Sequence, residues 1–435
     1  MTENKGFSLK EGKIEIIDQA QARRSLDELV YQAVFCEEPE EKKSRLMVVK
    51  ELAKALGAVP ASIFGLYQFM ARDFPGFTVP AINIRGLTYD FARTVFRVAL
   101  EKETAAVIFE IARSEISYTL QRPLEYATVI CAAAAREGYR GPVFIQGDHF
   151  QFKRKAFFAA PEKEKENLCR LIDEALSAEF YQIDIDASTL VELEKESLEE
   201  QQYYNSRLTA EMTDYIRQKE PPGITVNVGG EIGEIGGHNS RPEELHAFMK
   251  VYREHLKREP GISKISVQTG TAHGGVVLPD GTVAKVAVDF DTLRTLSEIA
   301  RREYGMAGAV QHGASTLPDE MFHLFPEVGC CEIHLATGFQ NLIYDHPALP
   351  ESFRQEIYAF LKKNFAHEWK EGWSEAQFIY KTRKKGFGPF KKKWWDLDPE
   401  SKEKIMASLA QKISFLFEKL KVTNTYKLVT EHVKV

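Results

Sequence analysis

The chain has 435 residues, 44% of them hydrophobic, enough to bury the core of one large α/β domain with additions or of two or three smaller domains. A formal net charge of −6 excludes a global preference for nucleic acid or an anionic membrane, so any basic site must be local. No stretch approaches the roughly 18 to 20 apolar residues that span a bilayer, and MTENKGFSLKEGKIEI lacks the apolar stretch of a signal peptide. The cysteines Cys36, Cys131, Cys169, Cys330 and Cys331 show no CxxC spacing, which disfavours a disulfide framework and a thiolate metal site. The expectation is a cytoplasmic protein.

Residues 1–75 read as a charged, helical N-terminal extension, with EEPEEKKSRLMVVKELAKALG as its clearest amphipathic piece. From about residue 75, short apolar runs alternate with longer helical segments, which implies a parallel α/β domain. The candidate strands are FTVPAINI from Phe77, AAVIFEI from Ala105, GPVFIQG from Gly141 and EFYQIDID from Glu179. They continue with GITVNVGG from Gly223, ISKISVQTG from Ile262, AGAVQHG from Ala307 and GCCEIHLAT from Gly329. This spacing fits a (β/α)8 TIM barrel, expected over residues 76–346, with an open doubly wound sheet as the alternative. Residues 347–435 read as a C-terminal helical extension. In it Asp398-Pro399 starts a helix with Ile405, Leu409, Ile413, Leu416 and Leu420 on one face. That face must pack on something, and a homo-oligomer is the expectation.

In a barrel the strand C-termini converge, so polar residues there become neighbours. The third run ends IQGDHF, the sixth continues QTGTAHGG and the seventh ends VQHGAST, which brings His149, His273 and His312 to one face. Three imidazoles with one open position are what a catalytic Zn²⁺ needs. A lone strand-end histidine is more often a hydrogen-bonded structural residue, and that alternative weakens when three share a face. Of the other histidines, His238 and His334 sit where they can join the site. Gly274, Gly275 and Gly313 let backbone approach an anion, and Ser315, Thr316 and Thr337 supply hydroxyls beside them. Ordinary turn glycines and capping hydroxyls are the competing account. Asp148, next to a candidate ligand, is placed to exchange a proton with a substrate hydroxyl. Glu231, Asp184 and Asp186 end neighbouring strands, as support for a histidine or as cation contacts.

In this order, IQGDHF, GGEIGEIGG, TAHGG and QHGAST resemble the class II, zinc-dependent fructose-bisphosphate aldolase family, from about Pro80 to Thr337. The resemblance implies that His149, His273 and His312 bind Zn²⁺, and it leaves open a second, monovalent cation. It also implies that Asp148 handles the proton on the hydroxyl beside the bond being broken, and that Glu231 lies near the metal. Gly274, Gly313 and Ser315 would hold the phosphate of dihydroxyacetone phosphate, and Asn83 matches an asparagine of the first strand. The implied reaction is reversible cleavage of a ketose (bis)phosphate, such as fructose 1,6-bisphosphate, into dihydroxyacetone phosphate and an aldehyde. It is Lewis-acid catalysis that needs no lysine nucleophile.

The chain departs from the family in three respects, one of them its greater length at both ends. His238-Asn239 follows Gly236-Gly237 where a mobile-loop glutamate is usual, so His238 or Glu234 becomes the candidate for the proton on carbon. His334-Leu335-Ala336-Thr337 stands where an asparagine and an aspartate precede the phosphate-binding threonine, which brings His334 into the substrate site. GDHF, IDIDAS and GGEIGEIGG are also similar to the longer, non-catalytic subunit of tagatose-bisphosphate aldolase. A supporting subunit is therefore one alternative, and a zinc-dependent sugar-phosphate epimerase is another. KTRKKGFGPFKKKWW carries seven basic residues between Lys381 and Lys393 with interleaved aromatics, a pattern open to nucleic-acid binding. The acidic whole favours a solvated loop, or one giving a cation to a distal phosphate across a subunit interface. Neither nucleic acid nor membrane is expected as a partner.

Overall fold

A computed structural model describes residues 6–10, 13–233, 237–270, 277–280, 288–314 and 317–435. Two short antiparallel strands, β1 (Phe7–Lys10) and β2 (Lys13–Ile16), lead into the helices Gln19–Val34 and Pro39–Ala55. The second helix is the amphipathic piece legible in the sequence. Its Leu46, Val49, Leu52 and Ala53 face inward, and Glu38 caps it by accepting from the Glu41 amide at 2.6 Å. The all-helical reading of this region misses β1, β2 and a third strand, β3 (Ala58–Pro60). Three residues carry no usable period, and β3 exists because it pairs in parallel with Gly141–Val143.

All eight apolar runs become strands: β4 (Val79–Asn83), β5 (Ile108–Ala112), β6 (Gly141–Gln151), β7 (Gln182–Asp186), β8 (Asn227–Glu231), β9 (Lys264–Val267), β10 (Ala309–Gln311) and β11 (Glu332–Leu335). Each pairs in parallel with the next, and β11 returns to β4 with Glu332 opposite Val79 and His334 opposite Ala81. The sheet is closed, so the architecture is a (β/α)8 barrel and the open-sheet alternative falls. Closure carries every strand C-terminus to one rim.

Helices between strands bury their inner faces against the barrel, as Thr88–Glu101 does with Phe91, Val95, Phe96 and Ala99. The alanine-rich helix Pro123–Glu137 is buried on both sides, because small side chains let the N-terminal helices pack over it. The C-terminal helix Pro399–Lys419 is capped by Asp398, which accepts from the Ser401 amide at 2.9 Å. Its Ile405, Leu409, Ile413 and Leu416, with Leu420 beyond its end, are buried, and the helix packs on Thr88–Glu101 of the same chain. Past it, the Leu420 carbonyl accepts from the Thr78 amide at 3.0 Å, and Thr425 Oγ1 accepts from the Ala105 amide at 3.2 Å. The tail thus satisfies backbone donors just before β4 and β5. Among the described residues no helix is long and apolar enough to cross a membrane.

The barrel interior is unusually polar. Barrel interiors are commonly filled by layers of branched apolar side chains. Here Glu110, Gln146, Asp184, Lys264 and Glu332 point inward and are buried. Lys264 Nζ lies 2.9 Å from Asp184, 2.5 Å from Glu332 and 2.8 Å from the Gln146 side-chain oxygen. Tyr67 donates to the other Glu332 oxygen. Gly229 makes this possible, since a Cβ there would collide with Asp184 and crowd the Lys264 stem.

Candidate active site

The pair Asp148-His149 poses a geometric problem, because adjacent residues of a regular strand point to opposite faces. The structure solves it with a bulge. Between β6 and β7 the register slips, so that Gly147 pairs with Ile183 but Phe150 with Ile185, leaving an extra residue on β6. His149 takes a left-handed φ of 41°, and such strain, of order 1–3 kcal/mol, is tolerated where the surroundings fix the geometry. Phe150 folds back over Gly147, where a Cβ would collide with its ring. Both Asp148 and His149 therefore reach the pocket above the barrel.

The imidazole of His149 is held from behind. Its Nδ1 lies 3.0 Å from Asp186 Oδ2 on β7 and 3.1 Å from Glu231 Oε2 on β8, while its Nε2 is 3.8 Å from Asp148 Oδ1. From β10, His312 brings its Nε2 to 3.6 Å from the same Asp148 oxygen. The two rings lie 4.4 Å apart, centre to centre. His334 follows on the other side, its ring 4.1 Å from that of His312. It sits among carboxylates, with Nδ1 at 2.9 Å from Glu110 and 3.3 Å from Asp148, and Nε2 at 2.7 Å from Glu332.

The electrostatics follow from this crowding. Burial opposes the charge of Asp148, yet His149 and His334 hold it well below the usual carboxylate range. Asp186, also buried, is held at about 2 by its hydrogen bond to His149, whereas burial and the neighbouring Asp186 push Glu231 up to about 6. Burial raises Glu110 to about 8 against the pull of His334. Burial, then His334 and His149, push His312 well below the usual imidazole value. A neutral imidazole is the form that ligates metal.

This donor set fits a divalent cation. Asp148, His149 and His312 offer ligand atoms within 4.8 Å of one another, and His149 turns Nε2 towards them because carboxylates hold its Nδ1. Metal-ligating histidines are commonly oriented in this way. Asp148, Asp184, Asp186, Glu231 and Glu332 also concentrate negative charge there, opposed by the Lys264 ammonium.

Above the cluster opens a cavity of about 580 Å³. Asn83, Asp148, His149, His312, Gly313, His334 and Thr337 line it. Gly313 has a φ of 72°, and Thr337 opens the helix Thr337–Tyr344, so both bring backbone to the pocket wall. Asn83 donates to Glu115 Oε2 at 2.6 Å. His238 lies elsewhere: it is exposed, with Nε2 3.5 Å from Glu244, and does not line the pocket. His273, Gly274, Gly275, Ser315, Thr316 and Glu234 fall outside the described residues.

Several pocket and floor residues escape the sequence reading, Glu110, Lys264 and Glu332 below and Arg85 on the wall, whereas Lys381 and Lys384 belong to the basic segment it singles out. A signal for the first three was present, since each is a charge inside an apolar strand run. Nothing local puts Arg85 and the basic segment on one wall of this pocket, because that depends on how the C-terminal segment docks.

The comparisons with known proteins agree with this geometry. The profile of class-II fructose-bisphosphate aldolase matches residues 72–411. Among solved structures, a fructose-bisphosphate aldolase from Campylobacter jejuni is similar at 18% identity and a TM-score of 0.52, over 84% of this chain and 97% of that one. A probable tagatose 6 phosphate kinase from Sinorhizobium meliloti 1021 is similar at 15% identity and a TM-score of 0.53, over 81% of this chain and 93% of that one. At those identities the two structures speak for the fold alone, whereas the profile spans the barrel and every strand end that builds the pocket. The chain belongs to the class-II fructose-bisphosphate aldolase family.

Proposed function

We propose that the protein is a zinc-dependent aldolase that cleaves a ketose (bis)phosphate, such as fructose 1,6-bisphosphate, reversibly into dihydroxyacetone phosphate and an aldehyde. The observation that carries this reading is the position of Asp148, an ionised carboxylate at the pocket floor with one oxygen facing both His149 and His312. A Zn²⁺ held by His149 and His312, with His273 as the third ligand, would polarise the substrate carbonyl and stabilise the charge left on its oxygen when the carbon–carbon bond breaks.

The chain's own residues supply the rest. Asp148 takes the proton from the hydroxyl beside the breaking bond and returns it in the condensation direction. Asp186 and Glu231 hold the His149 ring in its working orientation. Gly313 and the start of the helix at Thr337 offer backbone amides to a phosphate, at the late-strand position where barrels commonly bind one.

The test is turnover on a panel of ketose phosphates. Dihydroxyacetone phosphate should appear, vanish on chelation and return with Zn²⁺. Absence of cleavage of every ketose phosphate by the zinc-loaded protein would overturn the proposal, and an epimerised product would replace cleavage by epimerisation. A further expectation concerns the support of His149. Asp186→Asn should weaken zinc binding by about 10- to 100-fold, as measured by competition with a chromophoric chelator. Unchanged affinity would remove Asp186 from that role.

A further inference from the structure

Tyr67 lies before the residues that the family profile matches, yet its hydroxyl ends on a carboxylate inside the barrel. It belongs to the helix Phe64–Arg72, which packs at the strand starts, on the rim opposite the pocket. Two contacts of the residues leading into the helix fix that place. The Ile63 amide donates to the side chain of Gln182, the first residue of β7, at 2.9 Å, and Ser62 Oγ donates to the Thr225 carbonyl, just before β8, at 2.5 Å. The phenol itself is fully buried and donates to Oε2 of Glu332, the first residue of β11. We propose that Tyr67 is a positioning residue for Asp148, acting through Glu332 and His334 along the inside of the barrel. The consequence for turnover rests on the aldolase reading above, whereas the chain of contacts does not.

The two oxygens of Glu332 are held differently. Oε1 gathers Lys264 Nζ at 2.5 Å, His334 Nε2 at 2.7 Å and Gln146 Nε2 at 3.0 Å. Among the described residues, Tyr67 is the hydrogen-bond partner of Oε2. Three donors on one oxygen leave the carboxylate free to swing about its last torsion, which is intrinsically broad. The phenol removes that freedom by holding the second oxygen. Burial, and next Glu332, keep the Tyr67 pKa well above the usual phenol value, so the hydroxyl stays a donor.

His334 carries the constraint to the pocket. A carboxylate accepts, so His334 Nε2 is the donor in its contact with Glu332, and the orientation of the ring follows that of the carboxylate. Nδ1 then faces Asp148 Oδ1 at 3.3 Å, nearer than His312 at 3.6 Å or His149 at 3.8 Å. Glu110 lies 2.9 Å from the same nitrogen, which wedges the ring between carboxylates on both sides. Members of a buried polar chain depend on one another, because no water replaces a missing partner. A carboxylate that moves a proton must meet the substrate hydroxyl within hydrogen-bond reach, so a small displacement of Asp148 lowers the rate more than the affinity.

Tyr67→Phe keeps the packing ring and removes the hydroxyl. It is compared with wild type, His334→Gln and the double variant, all zinc-loaded. In ¹H–¹⁵N spectra of the imidazoles, the His334 signals, identified by their absence in His334→Gln, should move in Tyr67→Phe, while those of the exposed His238, assigned in the same way, stay in place. In turnover of fructose 1,6-bisphosphate, Tyr67→Phe should lower kcat by about 10-fold with KM within about 2-fold and zinc content unchanged. On the His334→Gln background the same substitution should change kcat by less than about 2-fold, since the route to Asp148 is already cut. Unmoved His334 signals, or an equal loss of kcat in both backgrounds, overturns the proposal. If the His334 signals move but wild type cleaves no ketose phosphate, the contact chain stands and the aldolase reading falls. If wild type cleaves and Tyr67→Phe matches its kcat, the aldolase reading stands and the positioning role falls.

Discussion

His312→Ala is expected to abolish ketose phosphate cleavage, with kcat/KM falling by about 10³-fold or more and bound zinc lost in parallel. Three features set the size of the effect. His312 shares the Asp148 oxygen with His149, its ring lies between those of His149 and His334, and its surroundings keep it neutral. Alanine removes a nitrogen donor without altering the strand that precedes it, because β10 pairs through its backbone and its buried residues Ala309 and Val310 stay in place. The variant should therefore melt close to wild type in the metal-free state. Metal analysis alongside turnover checks the expectation. Wild-type zinc content and rate in His312→Ala would remove this histidine from the metal set.

Lys264→Met should produce the largest loss of stability, about 3–5 kcal/mol, because it strips the counter-charge from two buried carboxylates rather than merely removing a contact. Glu332 is held far below the usual carboxylate range, where burial works against Lys264 and His334, and Asp184 is pushed up to about 6. The sign of the pH dependence follows. A carboxylate with a depressed pKa adds stability above its unfolded value, about 4.3 for glutamate, and loses it as pH falls. In Lys264→Met that contribution shrinks, so the gap between variant and wild type should be widest near neutral pH and narrow below about pH 4. Adding Glu332→Gln to the variant should restore part of the loss. Chemical denaturation at several pH values tests all three expectations. A neutral-pH loss under about 1 kcal/mol would mean that the ion network contributes little to folding.

The barrel was legible because each strand is an apolar run of the right length between helical segments, and all eight runs occupy strands in the structure. The meeting of Asp148, His149 and His312 was legible for the same reason, since strand ends share a rim. His334 joins them, but wedged between Glu110 and Glu332 in the floor, where no local pattern could place it. The expected loop base, His238, lies on the surface beside Glu244. The basic segment was legible as a cluster of charge, but its place on this chain's own pocket wall was not, for a different reason. Lys384 follows Arg85 by some 300 residues in sequence, and their proximity is created by the fit of Phe387 on Gly86, a tertiary contact with no periodic trace. β3 was missed because three residues hold no rhythm, and pairing with β6 decides their conformation.

The bulge in β6 has one more consequence. Two neighbouring side chains meet the substrate side together only because β6 is one residue longer than its partner across the stretch from Gly147 to Phe150. The site is thus written as a miscount between strands as much as in the identity of its side chains. Deleting a single residue there would leave the hydrophobic pattern almost intact and would let the ladder close evenly, yet it would turn either the acid or the imidazole into the wall. Two chains of this fold with the same residues at the rim can therefore differ in chemistry by the length of one strand.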